Sequence, residues 1–248
     1  MNESLPISSQ GRLRRLTLNR PEKRNALDVA LCRSLVEAVR EAASDPSVGA
    51  ILLSAEGKDF CSGMDLTEAL ETNPDEMLAV HQQLFSMGAC LRKPMVAAVQ
   101  GAAVAGGLGL ALNAHIVIAS SGARFGLPEV RIGLWPYVIL PVVAAAIGLR
   151  KATELALTAR IVNAEEACRM GIVDVVVEPD ALKEQAERIA LELAERSATV
   201  MEQGLSFMQQ IAELDPVSAA KLAGKFRREA HDSAEFREGV LAFRRRGA

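Results

Sequence analysis

The 248-residue chain is half hydrophobic, with 4% aromatic residues and a formal net charge of −3. This apolar content predicts a sizeable buried core, and the near balance of charge gives no support for a nucleic-acid interface. The four cysteines are far apart and the first ten residues do not resemble a secretory signal, which favours a cytoplasmic protein with reduced thiols.

The first third of the chain alternates predicted strands and helices. The alternating polar and apolar residues of GRLRRLTLN (11–19) predict a strand, and Asp28 is suited to cap an amphipathic helix over residues 29–43. The short apolar run AILLSA (50–55) predicts a buried strand. A loop, GKDFCSGMDL (57–66), separates it from a helix predicted over about residues 75–91, which Pro94 ends.

Four further strands are predicted, in MVAAVQG, AHIVIAS, ARFGLPE and IVDVVVE. Because strands and helices alternate, the sequence predicts an α/β domain. The uncharged stretches 95–123 and 132–149 contain glycine, proline or polar residues, which indicates buried interior and no membrane span. After Glu178, segments rich in Ala, Leu and Glu predict helices over 181–196, 198–214 and 217–243.

The segment GAAVAGGLGLAL (101–112) holds four glycines, which disfavour both helix and strand. A dinucleotide fingerprint fails because Leu112 occupies its third glycine position, and a P-loop fails because Gly107 and Leu108 replace its Lys and hydroxyl residue. Two interpretations remain. One is close packing of the backbone; the other is a strand that enters a tight turn and opens a helix near Gly107, with free N–H groups that can stabilise an oxyanion.

Six segments occur in an order that strongly resembles the enoyl-CoA hydratase/isomerase (crotonase) family: NRPEKRNALD, GKDFCSGMDL, KPMVAAVQGAAVAGGLGLAL, FGLPEVRIGL, AEEACRMGIVDVVV and EFREGVLAFRRR. The resemblance covers nearly the whole chain and is weakest in residues 1–10 and 181–224. It implies a crotonase-like spiral of β-β-α units over residues 1–195, which holds the acyl-CoA site. Residues 196–248 would form a helical trimerisation region, in a homo-trimer or a dimer of trimers. No cofactor and no metal is expected, since coenzyme A is part of the substrate.

The resemblance also implies which groups act on the thioester. Family members stabilise its enolate with two backbone N–H groups, which map to Met64 in FCSGMDL and to Gly106. The glutamate of the family's F-G-x-P-E segment maps to Glu129, whereas Gly109 occupies the earlier glutamate position of the hydratases. A shift of a double bond from the 3,4 to the 2,3 position can use one base. Isomerisation of 3-enoyl-CoA to 2-enoyl-CoA is therefore favoured, with Glu129 as the proton shuttle.

Other functions stay open. A hydratase would need an unconventional second acid or base, for which Asp65, Glu68 and Glu71 are candidates. The same oxyanion site would also serve decarboxylation or another enolate reaction. A non-catalytic acyl-CoA-binding or RNA-binding relative is a further alternative, and a related serine peptidase with Ser62 as nucleophile lacks a matching His–Asp pair. The three histidines match no catalytic position and are predicted to be structural or solvated: His81, His115 and His231.

The resemblance implies binding positions for coenzyme A as well. In relatives, the segment E-K-R-N-A-L and the residues before the oxyanion loop hold adenine and pantetheine, largely through backbone. The corresponding positions are Lys23, Arg24, Ala26, Leu27, Lys58 and Phe60. The cations of Lys23 and Arg24 would suit phosphate groups. The C-terminal AFRRRGA resembles a helix that often meets the coenzyme A of a neighbouring subunit, which maps to Phe243 and Arg244.

Apolar and aromatic residues surround Glu129 in the sequence, and Trp135 among them is expected to line the substrate site. Leu127, Leu134 and Tyr137 belong to the same group. Such neighbours would desolvate the carboxylate of Glu129 and raise its pKa toward a value useful for a base.

Overall fold

The computed structural model describes residues 3–246, in which nine strands form two sheets. The larger sheet has the order β1-β2-β3-β4-β6-β9 and the smaller one the order β5-β7-β8. The strands are β1 (Ile7–Gln10), β2 (Leu13–Leu18), β3 (Ala50–Ala55), β4 (Met95–Val99), β5 (Ala102–Val104), β6 (Ile116–Ser120), β7 (Arg124–Gly126), β8 (Ile161–Asn163) and β9 (Val175–Val177). In the larger sheet only the β1–β2 pair is antiparallel.

Ten α-helices accompany these strands in the described part of the chain. They are α1 (Val29–Ser44), α2 (Pro74–Ser86), α3 (Gly106–Ala111), α4 (Leu140–Ile147), α5 (Leu149–Thr158), α6 (Ala164–Met170), α7 (Leu182–Ala194), α8 (Ala198–Ile211), α9 (Pro216–Asp232) and α10 (Ala234–Arg246). None of these helices is long and apolar enough to cross a membrane.

The chain forms two compact units. The first comprises residues 1–89 and 94–195, and the second comprises residues 90–93 and 196–248. The assignment of residues 1–195 to a core domain and of residues 196–248 to trimerisation stays a prediction. The mixed α/β composition and the helical C-terminal part agree with the fold class that the sequence predicts.

The core of the first unit lies between the large sheet and α7. Helix α7 presents Ala186, Ala190 and Ala194, spaced four residues apart, to Leu52 and Val96 of the central strands. These small side chains allow a close approach of helix and sheet. A methyl group placed on Gly49, just before β3, would lie 2.1 Å from the Ala194 carbonyl oxygen, so glycine is required at that crossing.

Several predicted elements are confirmed. The strand in 11–19 is β2, residues 50–55 form β3, and the helix that Asp28 caps is α1. The Asp28 side chain accepts a hydrogen bond from the Leu31 N–H at 2.7 Å, as an N-cap does. The glycine-rich segment opens helix α3 at Gly106, one residue before the predicted start.

Other boundaries were predicted wrongly. Helix α2 ends at Ser86 and not near residue 91, and the single helix predicted over 217–243 is two helices. The break lies at Ser233, whose backbone is extended (φ −73°, ψ 153°). The Ser233 hydroxyl accepts from the Phe236 N–H at 3.1 Å, so it caps the first turn of α10.

The second unit consists of α8, α9 and α10 with the short segment 90–93. Neither α8 nor α9 has a fully buried side chain. Their apolar residues, with those of α10, enclose a groove of about 830 Å³. Phe207 and Phe226 meet across it with ring centroids 5.3 Å apart.

Candidate active site

The loop that carries Met64 lies between two other backbone segments. The Leu27 N–H donates to the Gly63 carbonyl at 2.8 Å, and the Asp65 N–H donates to the Leu27 carbonyl at 2.9 Å. This pairing leaves the intervening Met64 N–H without an acceptor among residues 3–246. A backbone donor that is left unpaired beside a cavity is available to a ligand.

The glycine turn supplies a second free donor. Ala105, held in place by donation of its N–H to the Gly126 carbonyl at 2.9 Å, has φ 52° and ψ −129°, a conformation that L-residues rarely adopt. The reversal at Ala105 starts α3 at Gly106. Gly106 is the first residue of its helix, so its N–H has no carbonyl within that helix to donate to. No other described residue accepts this N–H.

The two loops meet at Gly63 and Gly106. A methyl group placed on Gly63 would lie 3.1 Å from the Gly106 nitrogen and 2.8 Å from the Ala105 Cβ. The Gly63 backbone, at φ 93°, therefore needs glycine both for its conformation and for this close approach. The contact brings the residue before Met64 against the residue that carries the second free N–H.

Met64 and Gly106 line one cavity of about 490 Å³, together with Glu129. Its wall is mainly apolar and includes Leu27 and Trp135. The remaining lining residues are Ser62, Leu66, Leu78, His81, Phe85, Ala105, Pro128, Arg131, Ile132, Leu134, Pro136, Tyr137, Val138 and Ile139. A mainly apolar cavity with a few converging polar groups is the usual form of a small-molecule site.

Glu129 is a buried carboxylate with an unsatisfied oxygen. It begins a 3₁₀ turn (Glu129–Ile132) after Pro128, close behind β7. Its side chain is buried, and no hydrogen-bond partner is found for Oε2 among the described residues. Burial raises the pKa of Glu129 to about 7, and a backbone hydrogen bond opposes this increase. The sequence prediction that apolar neighbours raise the pKa of this carboxylate agrees with its position.

The space beside Gly109 is filled by apolar side chains. A methyl group at this position would lie 2.8 Å from the Ile139 Cγ2 atom and 3.1 Å from the Phe85 Cδ1 atom. Gly109 therefore packs tightly against two residues that line the cavity, and their side chains occupy the space that a larger residue would need. The position that the resemblance aligns with the earlier glutamate of the hydratases is thus surrounded by apolar side chains.

The acidic residues predicted as alternative second groups lie outside the cavity. Asp65 accepts from Arg20 Nη2 at 3.2 Å and from the Thr67 N–H at 3.1 Å, so it stabilises the loop that carries Met64. Glu68 accepts from the Val29 N–H at 2.9 Å, and Glu71 is exposed. None of the three is among the described residues that line the cavity.

The predicted coenzyme A positions divide into exposed and buried groups. Lys23, Arg24 and Lys58 are exposed, and the Arg24 side chain forms an ion pair with Asp59 at 2.8 Å. Ala26 is buried, and its carbonyl accepts from Arg20. The side chain of Phe60 is fully buried and belongs to the core, so any contact of this residue with coenzyme A would be through its backbone; its predicted binding role stays a prediction.

Phe243 and Arg244 belong to the second unit. Both are exposed and line the groove between α8, α9 and α10. Their predicted contact with a neighbouring subunit stays a prediction.

His81 lines the cavity although it matches no catalytic position in the sequence. It projects from α2, and its ring lies 5.7 Å from that of Phe85. Its prediction as structural or solvated stays a prediction. The spacing of Leu78, His81 and Phe85 on α2 is the signal that could have revealed it. Residues three and four apart share one helix face, and all three line the cavity.

The described residues contain no group of three or more His, Cys, Asp or Glu side chains that could hold a metal ion.

The raised pKa of Glu129 predicts a pH-dependent effect of Glu129→Gln on stability. The folded protein binds this proton more tightly than the unfolded chain, whose glutamate has the ordinary pKa of 4.5. Burial of Glu129 therefore costs nothing below about pH 4.5, and its cost grows as the pH rises to about 7. We expect Glu129→Gln to unfold at the same urea concentration as the wild type at pH 4.5 but to be more stable at pH 8, by at most about 3 kcal/mol. An equal difference at both pH values would contradict the buried ionisation.

The sequence of this chain matches a family model and the sequences of known proteins. The family model for enoyl-CoA hydratase/isomerase matches residues 9–248. A Rhizobium meliloti protein named "Probable enoyl-CoA hydratase" is 35% identical over 243 residues, which cover 97% of this chain and 95% of that protein.

Solved structures give the same result. A Legionella pneumophila structure described as an enoyl-CoA hydratase/isomerase (crotonase) has a TM-score of 0.92 at 32% identity, and the match covers 99% of this chain and 98% of that one. An enoyl-CoA hydratase of Mycobacterium smegmatis has a TM-score of 0.93 at 29% identity, with coverage of 98% and 96%. The crotonase-like fold predicted from the sequence is confirmed. The chain belongs to the enoyl-CoA hydratase/isomerase family.

Proposed function

We propose that this protein isomerises 3-enoyl-CoA to 2-enoyl-CoA, with Glu129 as the single base. The observation that carries the proposal is the composition of the cavity wall. Glu129 is the only carboxylate among the described residues that line it, and Ile139 and Phe85 fill the space beside Gly109. A 1,3 proton shift needs one base that takes and returns a proton, whereas hydration is easiest with two groups.

The free N–H groups of Met64 and Gly106 suit the charge that forms in this reaction. Removal of a proton from C2 turns the thioester into an enolate, whose oxygen carries more negative charge than the carbonyl did. Hydrogen bonds that strengthen as this charge forms stabilise the transition state more than the bound substrate, so they lower the barrier to the reaction. Glu129 then returns the proton to C4. A pKa of about 7 lets the same carboxylate act as base and acid near neutral pH.

The proposal extends to substrate binding and assembly. The exposed cations Lys23 and Lys58 are available to the phosphate groups of coenzyme A.

We also assign residues 196–248 to assembly in a trimer or a dimer of trimers. The apolar groove of α8, α9 and α10 and the lack of buried side chains on α8 and α9 favour packing against further copies.

Hydration of 2-enoyl-CoA is the second candidate function. It is favoured by the name of the Rhizobium meliloti relative, with which this chain shares 35% identity. This reaction requires a group in addition to Glu129 to take the proton of the attacking water. Decarboxylation and non-catalytic acyl-CoA binding have no comparable support from the cavity.

One experiment separates the candidates. The protein is incubated in D₂O with 3-hexenoyl-CoA and, separately, with 2-hexenoyl-CoA, and isomerisation, hydration and deuteration at C2 are followed by NMR and mass spectrometry. We expect isomerisation of the 3-enoyl substrate to be the faster reaction. A faster hydration of the 2-enoyl substrate would overturn the isomerase assignment, and the lack of any turnover or deuteration would overturn an enolate reaction altogether.

A further inference from the structure

His81 is the second protonatable side chain in a wall that otherwise offers few polar groups. It projects from α2 into the cavity that also contains Glu129. Ser62, Arg131 and Tyr137 complete the set of other lining residues with a hydroxyl or a charge, and none of them accepts a proton readily near neutral pH. Among the described residues that line the cavity, His81 is therefore the side chain besides Glu129 that is suited to act as a base.

His81 contacts a ring that packs against Gly109, the position that the resemblance aligns with the earlier glutamate of the hydratases. Phe85, one turn further along α2, lies against Gly109, since its Cδ1 atom would be 3.1 Å from a methyl group there. The ring of Phe85 also approaches Gly106, with Cζ at 3.2 Å from a methyl group placed on that residue. His81 contacts this same ring. The imidazole thus contacts the same ring that packs against both Gly106, which carries one of the proposed oxyanion donors, and Gly109.

The imidazole has its hydrogen-bonding capacity available to a ligand. His81 forms no hydrogen bond or ion pair with any residue of the described chain, and its contact with Phe85 is between rings. Burial lowers the pKa of His81 from its ordinary value, which favours the neutral ring, in which one nitrogen is an acceptor. A half-buried imidazole in an apolar cavity is stabilised when a water or a substrate oxygen occupies that nitrogen.

We propose that His81 is a catalytic residue that binds the oxygen at C3 of the acyl group, and that it supplies the base with which this site adds water to 2-enoyl-CoA. The inference rests on the proposed enolate site of Met64, Gly106 and Glu129. The second acid–base group of hydration would then be on α2, whereas Gly109 is on α3.

The reaction balances with the groups present. His81 takes one proton from a water molecule as the water oxygen bonds to C3 of 2-enoyl-CoA. The electron pair of the double bond moves to the thioester, where the Met64 and Gly106 N–H groups stabilise the enolate. Protonated Glu129 then donates its proton to C2. The proton on His81 returns to Glu129 through solvent, and the reverse sequence removes water from 3-hydroxyacyl-CoA.

The test compares two reactions in the same protein sample. Hydration of 2-butenoyl-CoA and isomerisation of 3-hexenoyl-CoA are measured for the wild type, His81→Leu and His81→Gln. His231→Leu is the matched control, because His231 is exposed on α9 and lies outside the cavity. We expect both His81 variants to lower the ratio of hydration to isomerisation by about 100-fold or more, the usual contribution of a general base, and His231→Leu to preserve it. His81→Gln retains hydrogen bonding, so it keeps the test usable if the leucine variant does not fold.

The outcomes separate this inference from the proposed function. If the wild type isomerises 3-hexenoyl-CoA but does not hydrate 2-butenoyl-CoA, or if both His81 variants keep the wild-type ratio, the role of His81 is wrong and the isomerase site stands. If the wild type neither isomerises, hydrates nor exchanges the C2 proton in D₂O, the enolate site itself is wrong. A fall in the ratio confined to the two His81 variants supports the inference.

Discussion

Glu129→Gln is expected to lower kcat for isomerisation by about 10³-fold while leaving the affinity for acyl-CoA within a few-fold of the wild type. Glutamine has nearly the same volume as glutamate, but it cannot accept the C2 proton near neutral pH. The thioester oxygen would still meet the Met64 and Gly106 N–H groups, so ground-state binding persists. The measurement pairs steady-state kinetics on 3-hexenoyl-CoA with calorimetric titration of hexanoyl-CoA, which has no double bond to isomerise.

Glu41→Gln is the control for this change. Glu41 is exposed on α1 and outside the cavity, so its substitution removes a carboxylate without touching the proposed site. Deuterium incorporation at C2 of hexanoyl-CoA gives a second measure that does not depend on the double bond. Full exchange activity in Glu129→Gln, with normal binding, would show that another group removes the proton.

Gly107→Ala is expected to cause the second large effect, a loss of about 3 kcal/mol in the free energy of unfolding. The added methyl group would lie 2.1 Å from the carbonyl oxygen of Cys61 and 2.8 Å from its carbonyl carbon. Both are backbone atoms, so rotation of a side chain cannot relieve the contact. The backbone at Cys61 has to move, and with it the loop that carries the Met64 N–H. We therefore expect kcat to fall with stability, as measured by urea unfolding and by steady-state kinetics.

The matched control is Gly122→Ala, which lies in a turn between β6 and β7. The atom nearest to a methyl group at that position is Ser120 Oγ, at 3.8 Å, an ordinary contact distance. Gly122→Ala should leave stability and turnover close to those of the wild type. Equal stability of the two alanine variants would mean that the Cys61 and Gly107 backbones are not in close contact.

The sequence predicts those parts of the fold that depend on local signals. The cap of Asp28 and the apolar run of β3 are encoded within a few residues, and both are found where predicted. Strand β8, by contrast, has only three residues and is defined by its pairing with β7, so no local pattern reveals it. The break between α9 and α10 at Ser233 is also not predicted, because an apolar pattern compatible with one helix continues across it.

The candidate site shows the same division. The resemblance singles out Met64, Gly106 and Glu129, which the structure places around one cavity, although their roles stay a proposal. Phe60 adjoins the same motif, yet its ring is buried, because proximity to a motif does not determine which way a side chain points. His81 lies outside every motif. The spacing along α2 indicates that it shares a helix face with Leu78 and Phe85, but the packing of α2 beside the glycine turn decides that this face lines the cavity.

The tight packing around Gly109 couples two positions of this site. A glutamate at position 109 would place its Cβ within 3.0 Å of two atoms of Ile139, before any of its carboxylate is accommodated. Ile139 would have to shift, or a smaller residue would have to replace it, to make room. A search for variants with a second carboxylate therefore has to vary positions 109 and 139 together.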